Sequence, residues 1–149
     1  MQKKAIVIGI GNPNFKDDGV GYKIVEQLEG LVDTVCLLNT DLKVIDVMLG
    51  YDVAVIVDGV KVGVEPGTIV EIDPFKTFDK VYASGTHSLT VFEVIRIGYQ
   101  VFQEEMPKEI KIIGVEVEDI DTLDRDCSPK VKAAIPKVVE IIKEYLGLI

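Results

Sequence analysis

A chain of 149 residues that is 48% hydrophobic is long enough to bury one apolar core and too apolar for a disordered segment. Its formal net charge of −9 repels phosphate backbones, which argues against nucleic acid as a partner. No apolar run approaches the ~20 residues of a spanning helix, and MQKK opens the chain without a signal-peptide pattern, so a cytoplasmic protein with no membrane partner is expected.

Lys4–Gly9 (KAIVIG) is β-branched and closed by glycine, the pattern of a buried strand. After a loop over Ile10–Lys16, a helix is predicted from Asp17 to about Leu28, its acidic residues in the first turn where the helix dipole favours them. Val35–Asn39 is a second strand. Asp41–Leu49 is a short helix with Val44, Ile45, Met48 and Leu49 on one face. Asp52–Val57 (DVAVIV) is apolar at successive positions, which predicts a strand buried on both faces.

The turn Glu65-Pro66-Gly67-Thr68 leads into a fourth strand, Thr68–Ile72. The link is too short for a crossover helix, so this strand is expected to run antiparallel to the third. Asp73–Gly85 reads as a loop of a length usually kept for function. A very apolar helix from Thr86 to about Phe102 and a fifth strand, Ile110–Val117, follow. Ser128-Pro129 opens the last helix, with Ser as N-cap and Pro at the first position. That helix runs to about Leu146, with a kink or break expected at Pro136.

The order predicts an α/β fold: a three-layer αβα sandwich on a five-stranded, mostly parallel mixed sheet with one antiparallel strand. Residues 1–149 read as a single domain, without repeat or linker. Cys36 and Cys127 lack metal-ligand spacing and read as buried small hydrophobes.

Ligand sites in such sheets lie outside the carboxyl ends of the parallel strands. Topology brings three segments to that rim: Gly9–Gly21, Asp58 at the end of the third strand, and Ser84–His87 at the end of the long loop. Asp17 and Asp18 read equally well as caps, Asp58 as a strand-end turn residue, and His87 as a structural or surface histidine. The set is more telling than its members, because two carboxylates and the only histidine come from different junctions. Asp18, Asp58 and His87 could hold a divalent metal with open positions, a donor set suited to zinc, nickel or manganese. They could equally do acid–base chemistry without one, with His87 titrating near neutrality. Gly9-Ile10-Gly11 hints at a dinucleotide turn, but Asn14 stands where a third glycine belongs and Asp17-Asp18 would repel a pyrophosphate.

At these residues the chain resembles the nickel-iron hydrogenase maturation endopeptidases. Gly9-Ile10-Gly11-Asn12 followed by Asp17-Asp18-Gly19-Val20-Gly21 looks like their first signature. Val55-Ile56-Val57-Asp58, Thr86-His87-Ser88-Leu89, Gly114-Val115 and Cys127-Ser128-Pro129-Lys130-Val131 are similar to later segments, in order. The resemblance implies a peptidase that removes a carboxy-terminal extension from a hydrogenase large-subunit precursor once nickel is inserted. It implies that Asp18, Asp58 and His87 contact that nickel, which the substrate brings. Zinc, cadmium or manganese can take the same place. The ion is then a recognition element, and a Lewis-acid role for it is physically reasonable.

Two segments depart from the family pattern: Asn39-Thr40-Asp41 replaces a Gly-Gly-Thr patch, and Glu116-Val117-Glu118 stands where many members have proline. Both bear on the client hydrogenase more than on the reaction. The oligomeric expectation is a monomer or small homo-oligomer. The rival readings are a non-enzymatic nickel chaperone or sensor with the same ligands, and a peptidyl-tRNA hydrolase, whose opening Gly9-Ile10-Gly11-Asn12-Pro13 resembles. The latter family needs a histidine soon after this segment, and none precedes His87.

Overall fold

The computed structural model describes residues 3–75 and 90–149. Five strands, β1 (Ala5–Ile10), β2 (Asp33–Leu37), β3 (Val53–Val60), β4 (Ile69–Ile72) and β5 (Glu109–Glu116), form one sheet in the order β2-β1-β3-β5-β4. All neighbours are parallel except β4, which is antiparallel to β5. The helices are α1 (Val20–Glu26), α2 (Lys43–Met48), α3 (Val91–Phe102) and α4 (Pro129–Leu146).

Alternation along the central strands builds the three layers. Val7, Val55, Val57, Ile113 and Val115 face one side and pack with α1 and α4 through Val20, Ile24, Val131 and Val138. Ile6, Ile8, Ala54, Ile56 and Ile112 face the other and pack with α2 and α3 through Val44, Met48, Val94 and Ile95. Burial on both faces is why these strands are apolar at every position.

The structure corrects several sequence expectations. β4 runs antiparallel to β3 as expected, but not beside it: β5 inserts between them, so the short link after β3 spans a neighbouring strand. The predicted first helix begins as a tight 3-10 turn, Lys16–Gly19, and only then becomes α1. α3 starts at Val91, because Thr90 is extended (φ −87°, ψ 160°) and forms a reciprocal capping box with Glu93. Of the kink or break expected at Pro136, the break is absent: α4 runs unbroken from Pro129 to Leu146. Pro136 lies on the exposed side, where water can take up the carbonyl freed by its missing N–H, while Ile135, Val138 and Val139 anchor the buried side. Cys36 is exposed on edge strand β2 and not buried; Cys127 is buried as expected. None of the described helices is long and apolar enough to cross a membrane.

Candidate active site

The site is assembled at the carboxyl end of the sheet, beginning where β1 runs out. Gly11 takes φ +137°, and its N–H donates to the Leu37 carbonyl at 2.9 Å. A β-carbon there would stand 1.9 Å from the Asp18 carbonyl oxygen, so only glycine lets the two segments meet. Next along, the Asn12 N–H donates to Oδ2 of Asp18 at 2.8 Å, which orients that carboxylate. Gly21 serves the same assembly from the helix side: a β-carbon on it would come within 2.7 Å of the Val57 carbonyl, one residue before Asp58. The start of α1 can therefore press directly on the end of β3.

Register sets Asp58 between Ile10 of β1 and Gly114 of β5. Its carboxyl is held well above the ordinary aspartate range, first by burial and second by the negative charge of Asp18; a hydrogen bond with the Gly59 backbone acts the other way. Two carboxylates, Asp18 from the 3-10 turn and Asp58 from the end of β3, thus line one cleft. That cleft has a volume of about 480 Å³ and is also lined by Thr40, Lys61, Ile120 and Asp121. The third residue of the predicted set, His87, lies outside the described residues. Among the described residues no three metal-type donors come together, so Asp18 and Asp58 stand as a pair of oxygen donors. Hard oxygen ligands of this kind fit a divalent ion and offer nothing to a thiolate-loving one.

Asp17 does something the sequence did not reveal. It is 0% exposed. Its Oδ2 accepts from the N–H groups of Glu118 at 2.9 Å and Asp119 at 3.0 Å and from the Ser128 hydroxyl at 2.8 Å. Its Oδ1 accepts from the Ser128 N–H at 2.6 Å. Ser128 is the N-cap residue of α4, yet its side chain makes no cap bond and turns to Asp17 instead. Of the Asp-Asp pair, the first acid ties the β5–α4 loop to the site and the second faces the cleft. Neither caps a helix.

The two segments that depart from the family pattern also find their places. Thr40 is buried and lines the cleft. The buried Glu116 accepts from the N–H groups of Val62 at 2.9 Å and Gly63 at 3.3 Å, and so holds the loop after β3. Lys61 and Asp121 lie in the cleft without having been singled out; exposed charges in loops carry no pattern that marks them in one sequence.

A sequence model of the hydrogenase maturation protease family matches residues 22–145. The chain belongs to this family. It is 30% identical over 150 aligned positions to the hydrogenase expression/formation protein HupD of Thiocapsa roseopersicina, covering 95% of this chain and 67% of that one. Among solved structures it is similar to the maturation protease HycI of Thermococcus kodakarensis, with 25% identity, a TM-score of 0.76 and coverage of 98% and 94%. The hydrogenase maturating endopeptidase HybD of E. coli shares the fold, with 24% identity, a TM-score of 0.79 and coverage of 97% and 92%.

As a maturation protease, the chain is a peptidase, and the cleft at the carboxyl end of its sheet brings Asp18 and Asp58 together with an apolar lining. Aliphatic walls from Ile10, Val60, Val117 and Ile120 surround the acidic centre, which lowers the local dielectric and strengthens charge interactions there. In the glycine turn after β1 the Asn12 N–H already donates to Asp18, a donor that a dinucleotide's phosphate would use.

Proposed function

We propose that this chain removes the carboxy-terminal extension of a nickel-iron hydrogenase large-subunit precursor after nickel insertion, using the substrate's nickel as its recognition element. The observation that carries this reading is the placing of Asp18 and Asp58 on one cleft, where the charge of Asp18 disfavours an ionised Asp58 and a proton or a cation relieves it. A divalent ion arriving with the substrate meets that need. His87, from the Thr86-His87-Ser88-Leu89 segment, is proposed as the third ligand on the family resemblance. The names of the relatives, hydrogenase expression and maturation proteins, favour a hydrogenase as the client.

The reaction is hydrolysis of one amide. The oxygen of water bonds to the scissile carbonyl carbon, the C–N bond breaks, and the amine of the released tail takes up a proton. Asp18 is fixed by the Asn12 N–H and needs no reorganisation when the substrate arrives. Burial first and the charge of Asp18 second make Asp58 keep its proton to a higher pH than an ordinary aspartate, which suits a group that exchanges a proton or a metal ion. The peptidase assignment disfavours a pure nickel chaperone, and the net charge of −9 disfavours peptidyl-tRNA.

The test is incubation of the purified protein with nickel-loaded and nickel-free precursor, followed by mass spectrometry of the large subunit. Loss of the tail from the loaded form alone is expected. Equal trimming of both forms overturns the role of nickel in recognition. Nickel binding without trimming of either form favours the chaperone and overturns the peptidase reading.

A further inference from the structure

The cleft of Asp18 and Asp58 opens among three loops: residues 38–42 after β2, 61–68 after β3 and 117–128 after β5. Each loop turns aliphatic side chains to solvent. In the first, Leu38 is 62% and Leu42 52% exposed; in the third, Leu123 is 76% exposed; Val62 and Val64 are exposed in the second. Leu38 lines the cleft itself, and the others neighbour the lining residues Thr40, Lys61 and Asp121 in sequence. A single exposed leucine means little. Aliphatic groups from three separate loops around one cavity form a rim of the kind that marks an interaction surface.

The loops that carry this rim are held by the chain's own polar groups. Glu116 binds the N–H groups of Val62 and Gly63, and the Thr68 hydroxyl donates to the Glu65 carbonyl at 2.6 Å. In the third loop, Asp119 accepts from the N–H groups of Asp121 at 3.0 Å and Thr122 at 3.1 Å, while Asp17 holds Glu118 and Asp119 from below. Such anchoring keeps Val62, Val64 and Leu123 presented to solvent and lowers the ordering entropy lost when a partner binds.

We propose that this aliphatic rim is the docking surface for the protein substrate. An extended segment of the large-subunit precursor packs its apolar side chains on Leu38, Leu42, Val62, Val64 and Leu123 while its scissile bond lies over Asp18 and Asp58. The occupant follows from continuity and charge. Leu38 lines the candidate active cleft, and the other rim residues lie one to three positions along the chain from its lining residues Thr40, Lys61 and Asp121, so a polypeptide that reaches the two carboxylates passes these loops. Among the described residues the cleft offers Asp18, Asp58 and Asp121 against Lys61 alone, so the partner is cationic at its centre and apolar at its flanks. The inference rests on the peptidase reading above and adds where binding energy for a protein substrate comes from.

The test is a triple variant, Leu42→Ser, Val64→Ser and Leu123→Ser, which removes apolar contact without adding charge. Its control is Val101→Ser on α3, 64% exposed and remote from the loops. With nickel-loaded precursor, the triple variant is expected to raise KM about tenfold with kcat nearly unchanged. The control keeps the wild-type KM. Thermal melts check that both variants fold; should the triple variant not fold, Leu123→Ser alone is expected to raise KM about threefold. A rim variant with wild-type KM, or a control impaired to the same extent, overturns the docking surface while wild-type cleavage keeps the peptidase reading intact. Absence of wild-type cleavage overturns that reading, and the docking surface with it.

Discussion

Asp17 and Ser128, 111 positions apart, are joined by two hydrogen bonds, from the Ser128 N–H to Oδ1 at 2.6 Å and from its hydroxyl to Oδ2 at 2.8 Å. With the N–H groups of Glu118 and Asp119 on the same carboxylate, this contact fastens the start of α4 and the β5–α4 loop to the segment that carries Asp18. Asp17→Ala would leave buried donors without an acceptor, and such losses cost about 1–3 kcal/mol each without adding linearly. A destabilisation of roughly 3–5 kcal/mol is expected in urea unfolding. Ser128→Ala, which removes one donor and keeps the N–H bond, should cost about 1 kcal/mol.

Asp58 predicts a pH dependence whose sign is fixed by its environment. Its carboxyl titrates higher in the fold than in the unfolded chain, so the folded state binds the proton more tightly. The stabilisation is complete below the ordinary aspartate value of ~3.9 and is lost as pH rises through the raised value. Asp58→Asn cannot ionise. In metal-free buffer its melting temperature should therefore fall less than that of the wild type between acid and neutral pH. At pH above the raised value the variant should melt higher. Equal melting curves for the two proteins across that range would contradict the burial and the Asp18 contact.

Activity divides the Asp-Asp pair. Asp18→Ala, Asp58→Ala and His87→Ala are each expected to lower precursor cleavage by roughly a hundredfold or more. Asp18 and Asp58 lie at a cleft rather than in the apolar core, so their variants should keep the native circular dichroism spectrum. Retention of wild-type cleavage by the Asp18 or His87 variant would remove that residue from the proposed site.

Gly11→Ala tests the close approach behind Asp18. Its φ of +137° is unfavourable for alanine, and the new methyl group would meet the Asp18 carbonyl at 1.9 Å. The chain must shift there. A loss of about 2–4 kcal/mol in urea unfolding is expected, together with reduced cleavage because the Asn12 N–H no longer orients Asp18. Native stability in this variant would mean that the two segments are not in contact.

Local patterns carried much of this fold on their own. Continuous apolar runs identified β1 and β3 because burial on both faces demands them, and the placement of Asp18 and Asp58 at the carboxyl end of the sheet followed from chain order in a parallel sheet. Non-local choices were not legible. Whether β4 pairs with β3 or β5 depends on competition between distant strands, and β5 was the better partner for both. Whether Cys36 is buried depends on β2 being an edge. The sharpest case is the Asp-Asp pair. Sequence alone put two acids at a helix start, where either could have capped it. Only the tertiary structure separated them, because the hydrogen-bond donors that claim Asp17 lie more than a hundred residues away, and a buried carboxylate takes whichever donors the fold brings to it.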